Sequence, residues 1–107
     1  MEVNSLGSVI ATRRLFGVGE HEGFEMTVKL GVPDRYSDSS DYHCPFQFIG
    51  VGDDSIRSAA GIDAFQAIQL ALRMIGMFLY LHLNPQLGNS LRWKGDKEGD
   101  LGFPRPD

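Results

Sequence analysis

The chain has 107 residues, of which 42% are hydrophobic, and ten Lys and Arg against fourteen Asp and Glu give a formal net charge of −4. This length supports a single domain, residues 1–107, with one core, and the patterning of the apolar residues excludes a disordered chain. The acidic balance makes nucleic acid an unexpected partner, because general nucleic-acid binding needs a basic surface that displaces counterions from phosphates.

The predicted compartment is the cytoplasm. A single cysteine cannot form an internal disulfide, and the first fourteen residues lack the basic stretch and apolar run of a secretory signal. Residues 62–83 are apolar over a length that could cross a bilayer. Arg73 near the middle would cost about 2.5–3.5 kcal/mol there, so the sequence predicts a soluble helix and no membrane partner.

Two strands joined by a short hairpin loop are predicted first. Residues 24–32 alternate, with five apolar side chains on one face: Phe24, Met26, Val28, Leu30 and Val32. Residues 8–18 are extended but ambiguous in phase, which leaves a bulge or a two-sided strand open. Glycines at both ends of residues 19–23 favour a hairpin loop.

Next come a predicted surface loop, a third strand and a fourth. Residues 33–41 are rich in Ser, Asp and Pro and are interpreted as a mobile loop. Residues 42–48 form a strand whose Pro45 cannot donate to a ladder, so Pro45 needs a sheet edge, a bulge or an unpaired position. After the turn at residues 50–55, residues 56–61 predict a returning strand, which makes the meander three or four strands long.

The only cysteine follows a histidine, as in a nucleophile beside its base. In a regular strand, however, His43 and Cys44 point to opposite faces. Cys44 shares the aromatic face with Tyr42, Phe46 and Phe48, where a buried thiol has a raised pKa and acts as a small hydrophobe. The sequence therefore predicts a structural cysteine and no catalytic residue.

A long helix follows in the C-terminal half of the chain. Asp63 and Gln66 match a capping box, good helix formers continue to Leu83, and Asn84-Pro85 is the predicted end. Strands followed by one helix predict an α+β fold, an antiparallel meander with the helix packed across one face.

The predicted helix is apolar around most of its circumference. Its polar stripe is narrow and consists of Gln66, Gln69, Arg73, Gly76 and Tyr80. An apolar arc of about 100° is enough to cover one sheet face, so one flank needs another partner. Candidate partners are a second copy of the chain or the tail, residues 85–107. The tail is predicted to be partly irregular, and it could cover the flank through Leu87, Leu91, Trp93, Leu101 and Phe103. Its residues 94–107, however, are rich in Gly, Pro and charge and are expected to make a poor lid. The predicted partner-binding residues are Leu70, Met74, Met77, Leu81 and, beside them, Arg73.

Polar residues in three places are candidates for a ligand pocket among the loops. They are Glu20, His21, Glu22, His43, Asp53, Asp54 and Arg57. Their spacing matches no established metal motif, so no metal and no cofactor is predicted. Asp53 and Asp54 suit the local bonding of a turn, and Arg57 suits an arginine that covers apolar surface and pairs with an acid.

The segment "YHCPFQFIGVGDDSIRSAAGIDAFQAIQLALRMIG", residues 42–76, resembles a family of small uncharacterised bacterial proteins, a domain of unknown function. The shared features are an aromatic-x-Cys-Pro-aromatic-Gln segment and a Gly-x-Asp-x-x-Gln-Ala helix start. The resemblance implies a bacterial origin and no established activity. In layout alone, a meander followed by a helix is similar to antitoxins of the HicB type, and layout does not fix function.

The leading functional hypothesis is a non-catalytic interaction module that binds itself or another protein. The alternatives are a small enzyme or a small-molecule or metal binder that uses the loop pocket, and an antitoxin- or immunity-type regulator. A nucleic-acid contact through Arg13, Arg14 and Arg57 is the least favoured, because it needs a basic face.

Overall fold

The protein folds as an antiparallel sheet with one long helix across it, which confirms the predicted α+β class. The computed structural model describes residues 5–94 and 99–106. The single-domain prediction for residues 1–107 also includes residues 1–4, 95–98 and 107, which lie outside the described residues. The described elements are β1 (Val9–Gly17), β2 (Glu25–Gly31), β3 (Asp34–Arg35), β4 (Tyr42–Ile49), β5 (Arg57–Gly61), α1 (Ala64–Phe78), α2 (Asn84–Gln86) and β6 (Leu91–Trp93).

The strand order across the sheet is β5-β4-β2-β1-β6, and every pairing is antiparallel. The short strand β3 pairs with the beginning of β4, on the same side as β2. Strand β3 corrects the prediction that residues 33–41 are only a loop. Asp34 and Arg35 pair with His43 and Tyr42, and two pairs are too few for a periodicity that a sequence could show.

Pro45 lies inside the sheet, not at its edge. On the β2 side, β4 pairs through Phe46–Ile49 with β2 and through Tyr42 and His43 with β3, so Pro45 faces the gap between these two ladders. Its missing N–H therefore leaves no hydrogen bond unmade. Gly31 lies opposite, where an added Cβ would meet the Pro45 ring at 2.8 Å. Of the three predicted possibilities for Pro45, a sheet edge, a bulge or a position whose N–H is unpaired, the structure has the last.

The inner face of the sheet carries the core. Strand β2 contributes Met26, Val28 and Leu30, and β4 contributes Cys44, Phe46 and Phe48, all of them buried. The register pairs Leu30 with Phe46 and Val28 with Phe48, so these side chains form rows across the two strands. The alternation that the sequence shows in both segments is therefore the alternation of the structure.

The helix begins as predicted and ends later than predicted. The Asp63 side chain accepts a bond from the Gln66 N–H at 2.8 Å, and the Gln66 side chain accepts one from the Ile62 N–H at 2.8 Å. After Phe78 the chain continues through a π-helical segment, Leu79–Leu83, into α2. Pro85 has no N–H for the regular bond to Leu81, and the helix accommodates it at the start of its last turn, so it does not end at Asn84.

The chain after the helix returns to the sheet as β6, which the sequence did not predict. Leu91, Arg92 and Trp93 pair with Gly17, Phe16 and Leu15. Asn84, a buried polar residue, accepts the Leu91 N–H at 2.9 Å through its side chain and thereby fixes the turn. Leu91 and Leu101 are fully buried. Both belong to the tail residues that were predicted as a possible cover, and the expectation that residues 94–107 make a poor lid is wrong for Leu101.

Candidate interaction surface

The long helix presents one apolar stripe to the sheet. Ala67, Ala71, Ile75, Leu79 and Leu83 are buried, and α1 packs on both β4 and β5. At β5 the approach is close, because a Cβ at Gly61 would lie 2.5 Å from the Ala67 nitrogen. Farther along, the Phe78 ring stacks on Phe48 with centroids 4.4 Å apart. This stripe orients the other two flanks of the helix.

The C-terminal segment covers the flank of the helix that faces β1. Gly76 lies directly against the Pro104 carbonyl, with no room for a Cβ. The Tyr80 hydroxyl donates to Asp100 at 3.0 Å and accepts from the Leu101 N–H at 2.7 Å. Gly76 and Tyr80 were predicted to lie in the polar stripe facing water, and this is wrong because the tail packs on them.

Arg13 holds this segment against the sheet. Its guanidinium donates to the carbonyls of Leu101 and Gly102 at 3.2 and 3.0 Å. It also lies over the Trp93 ring at 4.0 Å and over Phe103 at 4.8 Å. An arginine between two aromatic rings is favoured by cation–π attraction and by burial of its stem. The sequence did not predict this role, because the ambiguous phase of residues 8–18 does not show that Arg13 faces inward.

The opposite flank of the helix is exposed and apolar. Met74, Met77 and Leu81 are 41, 46 and 53% exposed, Leu70 is partly buried, and Arg73 is exposed beside them. We call Leu70, Met74, Met77 and Leu81 the open flank. Because the tail lies on the β1 side, the open flank lies on the side of β5. The residues predicted to bind a partner thus form one stripe.

Two further hydrophobic side chains are even more exposed. Ile62 and Phe65, at the start of the helix, are 75 and 79% exposed. Neither was predicted to lie on a surface that binds a partner. At about 100° per residue, Phe65 falls on the side of Ile68 and Leu72, away from the centre of the buried stripe.

The structure does not assemble the predicted loop pocket. Glu20, His21 and Glu22 lie in and after a short 3-10 turn between β1 and β2. His43 lies near the beginning of β4, whereas Asp53 lies in the turn that follows the other end of this strand, beside Arg57. No group of three His, Cys, Asp or Glu side chains within residues 5–94 and 99–106 is placed to hold a metal ion.

Asp53 and Arg57 have local partners. Asp53 accepts the Ser55 N–H at 3.0 Å, which lowers the Asp53 pKa. Arg57 is 3.6 Å from Asp53 and lies over the rings of Phe48 and Phe78 at 5.5 and 5.4 Å. This is the packing role that the sequence favoured for Arg57.

His21 and Ser90 form a contact that the sequence could not show. The Ser90 hydroxyl lies 3.2 Å from His21 Nδ1, but it donates to the Leu87 carbonyl at 2.5 Å. Because the hydroxyl proton points to a carbonyl, the histidine is not placed as its base. The contact connects the hairpin loop to the turn before β6.

The three arginines of the nucleic-acid hypothesis lie apart. Arg13 and Arg57 are at opposite sides of the sheet, and Arg14 pairs with Glu25 at 3.2 Å on the outer face. Arg13 is engaged by the C-terminal segment. The structure therefore brings these residues to no common surface.

Cys44 is fully buried on the inner face, and His43 lies on the outer face. Burial raises the pKa of the Cys44 thiol to about 11. The thiol therefore stays protonated at neutral pH and lacks the character of a nucleophile.

Residues Ala64–Gln86 form the one helix of the described residues that is long and apolar enough, by length and composition, to cross a membrane. The core helix of a soluble protein passes the same test. Here one stripe of the helix packs on the sheet, and 28% of the apolar window is buried.

Comparison with known proteins identifies one family. The domain of unknown function DUF6968 matches residues 11–105. No curated protein and no solved structure matches the chain. The resemblance of residues 42–76 to a domain of unknown function is thus confirmed by a match over most of the sequence.

Proposed function

The chain belongs to the DUF6968 family of unknown function, and we propose that it is a non-catalytic interaction module that forms a homodimer through the open flank of its helix. The observation that supports this is that different sides of the helix have different neighbours. The sheet covers one stripe and the tail covers the β1 side. Of the exposed surface, one part is polar and carries Gln66, Gln69 and Arg73, and the other is the apolar open flank.

The chemistry of the open flank suits a protein surface. Leu70, Met74, Met77 and Leu81 lie along three turns without an intervening acid, and methionine side chains adapt to irregular surfaces. Contiguous exposed apolar surface of this kind is uncommon on monomers. A second copy is the simplest partner, because a two-fold interface uses the same patch twice.

Size-exclusion chromatography with light scattering tests the proposal. The wild-type chain is expected to elute as a dimer at micromolar concentration. Met77→Glu places a charge in the interface, and it should raise the dimer dissociation constant at least a hundredfold without changing the circular dichroism spectrum. Gln69→Glu adds the same charge on the exposed polar stripe and is expected to stay dimeric. A monomeric wild-type chain at 100 µM would contradict the proposal.

We also propose that the protein is bacterial and cytoplasmic. The family resemblance of residues 42–76 supports the first, and a lone, buried, reduced cysteine is compatible with the second. Fractionation of cells that make the protein at natural levels, followed by detection with an antibody, checks the compartment. Recovery from the membrane or culture fluid would contradict it.

A further inference from the structure

Strand β5 ends the sheet on the side of the open flank. Within residues 5–94 and 99–106, β5 pairs only with β4. Its four residues after Arg57 are Ser58, Ala59, Ala60 and Gly61, which are small and uncharged. Exposed edges are normally protected by charges, prolines or bulges, because an unprotected edge pairs with other strands.

The hydrogen-bond pattern shows which groups of β5 are free. The Tyr36 N–H donates to Asp41 at 3.0 Å, and in β1 the Gly17 N–H donates to Phe24 at 2.9 Å. Successive residues of a strand direct their backbone hydrogen bonds to the neighbouring strands on opposite sides. Counting from either of these two contacts gives the same side for each residue of β4. Odd-numbered residues of β4 face β2 and β3, and even-numbered ones face β5.

It follows that Arg57, Ala59 and Gly61 bond to β4, opposite Phe46, Cys44 and Tyr42. The backbone N–H and C=O groups of Ser58 and Ala60 then point away from the sheet. Ser58 is partly buried and Ala60 is exposed. A two-fold antiparallel strand pair needs at least two residues whose backbone groups point outward, one on each side of the axis. Ser58 and Ala60, on either side of Ala59, meet this requirement.

We infer that β5 pairs with β5 of a second copy, antiparallel and centred on Ala59, so that the two sheets form one continuous sheet. This inference rests on the proposed homodimer and adds its geometry. Ser58 of each chain exchanges two hydrogen bonds with Ala60 of the partner subunit, which gives four bonds across the two-fold axis.

The helix positions agree with this register. Strands are about 4.8 Å apart, so the two-fold axis lies about 2.4 Å beyond β5. A helix that packs on both β5 and β4 has its axis about 2.4 Å on the other side of β5. The two helices are then about 9.6 Å apart, within the 8–10 Å of packed helices.

The same register brings the open flanks together. Gly61 is near Ala67 and Arg57 is near Phe78, so Ala59 lies below the middle of α1. Antiparallel helices centred there place Leu70 against Met74 of the partner subunit. They also bring Leu81 towards Ile62 of the partner subunit, one of the two most exposed apolar residues.

The other unpaired edge of the sheet fits a second copy less well. The β6 strand covers only residues 15–17 of β1, so Val9–Arg14 is unpaired on that side within the described residues. This stretch carries Arg13 and Arg14, and two copies would bring like charges together. The edge at β5 has no such repulsion along residues 58–61.

Disulfide cross-linking tests the register. Ser58 and Ala60 of opposite chains form a hydrogen-bonded pair, whose Cα atoms lie about 5.5 Å apart and suit a disulfide. The double variant Ser58→Cys/Ala60→Cys should give a covalent dimer under mild oxidation at micromolar concentration. The single variants Ser58→Cys and Ala60→Cys are the matched controls. Each places its cysteines about 9 Å apart, too far to bond.

A second variant tests the hydrogen bonds. Ala60→Pro removes an N–H that faces away from β4, so it should leave the fold intact and raise the dimer dissociation constant at least tenfold. Ala60→Ser changes only the side chain and should stay dimeric.

The outcomes separate the two proposals. A cross-link in the double variant alone supports the strand pairing. A light-scattering dimer that Met77→Glu dissociates, with no cross-link in the double variant, overturns the pairing and leaves the helix-mediated dimer. A wild-type monomer overturns both.

Discussion

Cys44 and His43 are neighbours in sequence and lie on opposite faces of β4. The alternation of a strand alone separates them, and burial then determines the state of the thiol. Arg57 is partly exposed, and its guanidinium lies over the rings of Phe48 and Phe78 and approaches the carboxylate of Asp53. In both cases the side chain that suggested chemistry has a packing role in the structure.

The burial of Cys44 predicts low reactivity and a specific pH dependence. A thiol reagent should modify the native protein at least a hundredfold more slowly than the protein in denaturant. The folded pKa is raised from 9.0 to about 11, so the native state binds the proton more tightly. The raised pKa contributes fully to the free energy of unfolding below about pH 9, and this contribution is lost as the pH rises through about 11. The total loss is roughly 3 kcal/mol.

Denaturant titrations from pH 8 to 11 measure this dependence. Cys44→Ala is the control, because its free energy of unfolding should be lower but should fall less over that range. Equal slopes for the two proteins, or rapid modification of the native thiol, would show that Cys44 is accessible.

Among the elements, the long helix is the one with three different environments around its axis. Its buried stripe could be read from the spacing of Ala67, Ala71 and Ile75. The covering of Gly76 and Tyr80 could not, because it depends on Leu101 and Pro104, which follow in an irregular segment. That segment is held by contacts from β1 and the helix together, which no local pattern reports.

A methyl group at Gly76 should release this segment. Alanine favours a helix by about 1 kcal/mol over glycine, but the new Cβ meets the Pro104 carbonyl, and overpacking costs about 1–3 kcal/mol. Gly76→Ala should therefore lower stability by about 1 kcal/mol and speed chymotryptic cleavage after Leu101, since the bond after Phe103 precedes Pro104 and resists the protease. Gln69→Ala, at an exposed helix position, is the control. A stabilised Gly76→Ala protein that resists cleavage would contradict the contact.

Removal of the Tyr80 hydroxyl tests the hydrogen bonds that hold the same C-terminal segment on the helix. Tyr80→Phe leaves the Leu101 N–H without its acceptor and removes one of the two donors to Asp100, which keeps the bond from the Gly102 N–H. Thermal or denaturant unfolding should show a loss of about 1–2 kcal/mol. An unchanged stability would show that water replaces the hydroxyl at no cost.

For the whole molecule, the proposed dimer connects the sheet and the helix layer at one edge. If the open flank and β5 are both covered by a second copy, association and folding are thermodynamically linked. The monomer would then expose Met74, Met77 and Leu81 and an unpaired strand at the same side, which also predicts aggregation of interface variants that remain folded.

This linkage predicts a melting temperature that depends on protein concentration. Between 1 and 100 µM, the melting temperature of the wild-type protein should rise by several degrees in scanning calorimetry. Met77→Glu should melt at one temperature over the same range, and Gln69→Glu should behave as the wild type. A wild-type melting temperature independent of concentration would contradict the linkage.

The sequence by itself determined the elements whose signal is local: the alternation of β2 and β4, the Asp63 cap, the face that hides Cys44, and the stripe of Leu70, Met74, Met77 and Leu81. Each depends on residues that are near in sequence, where strand and helix periods act. Only the tertiary structure decided that β3 and β6 are strands, that Pro45 faces a gap between two ladders, and that Arg13 and Tyr80 hold the tail. These features depend on pairs of residues far apart in sequence, whose contact the folded sheet and helix create.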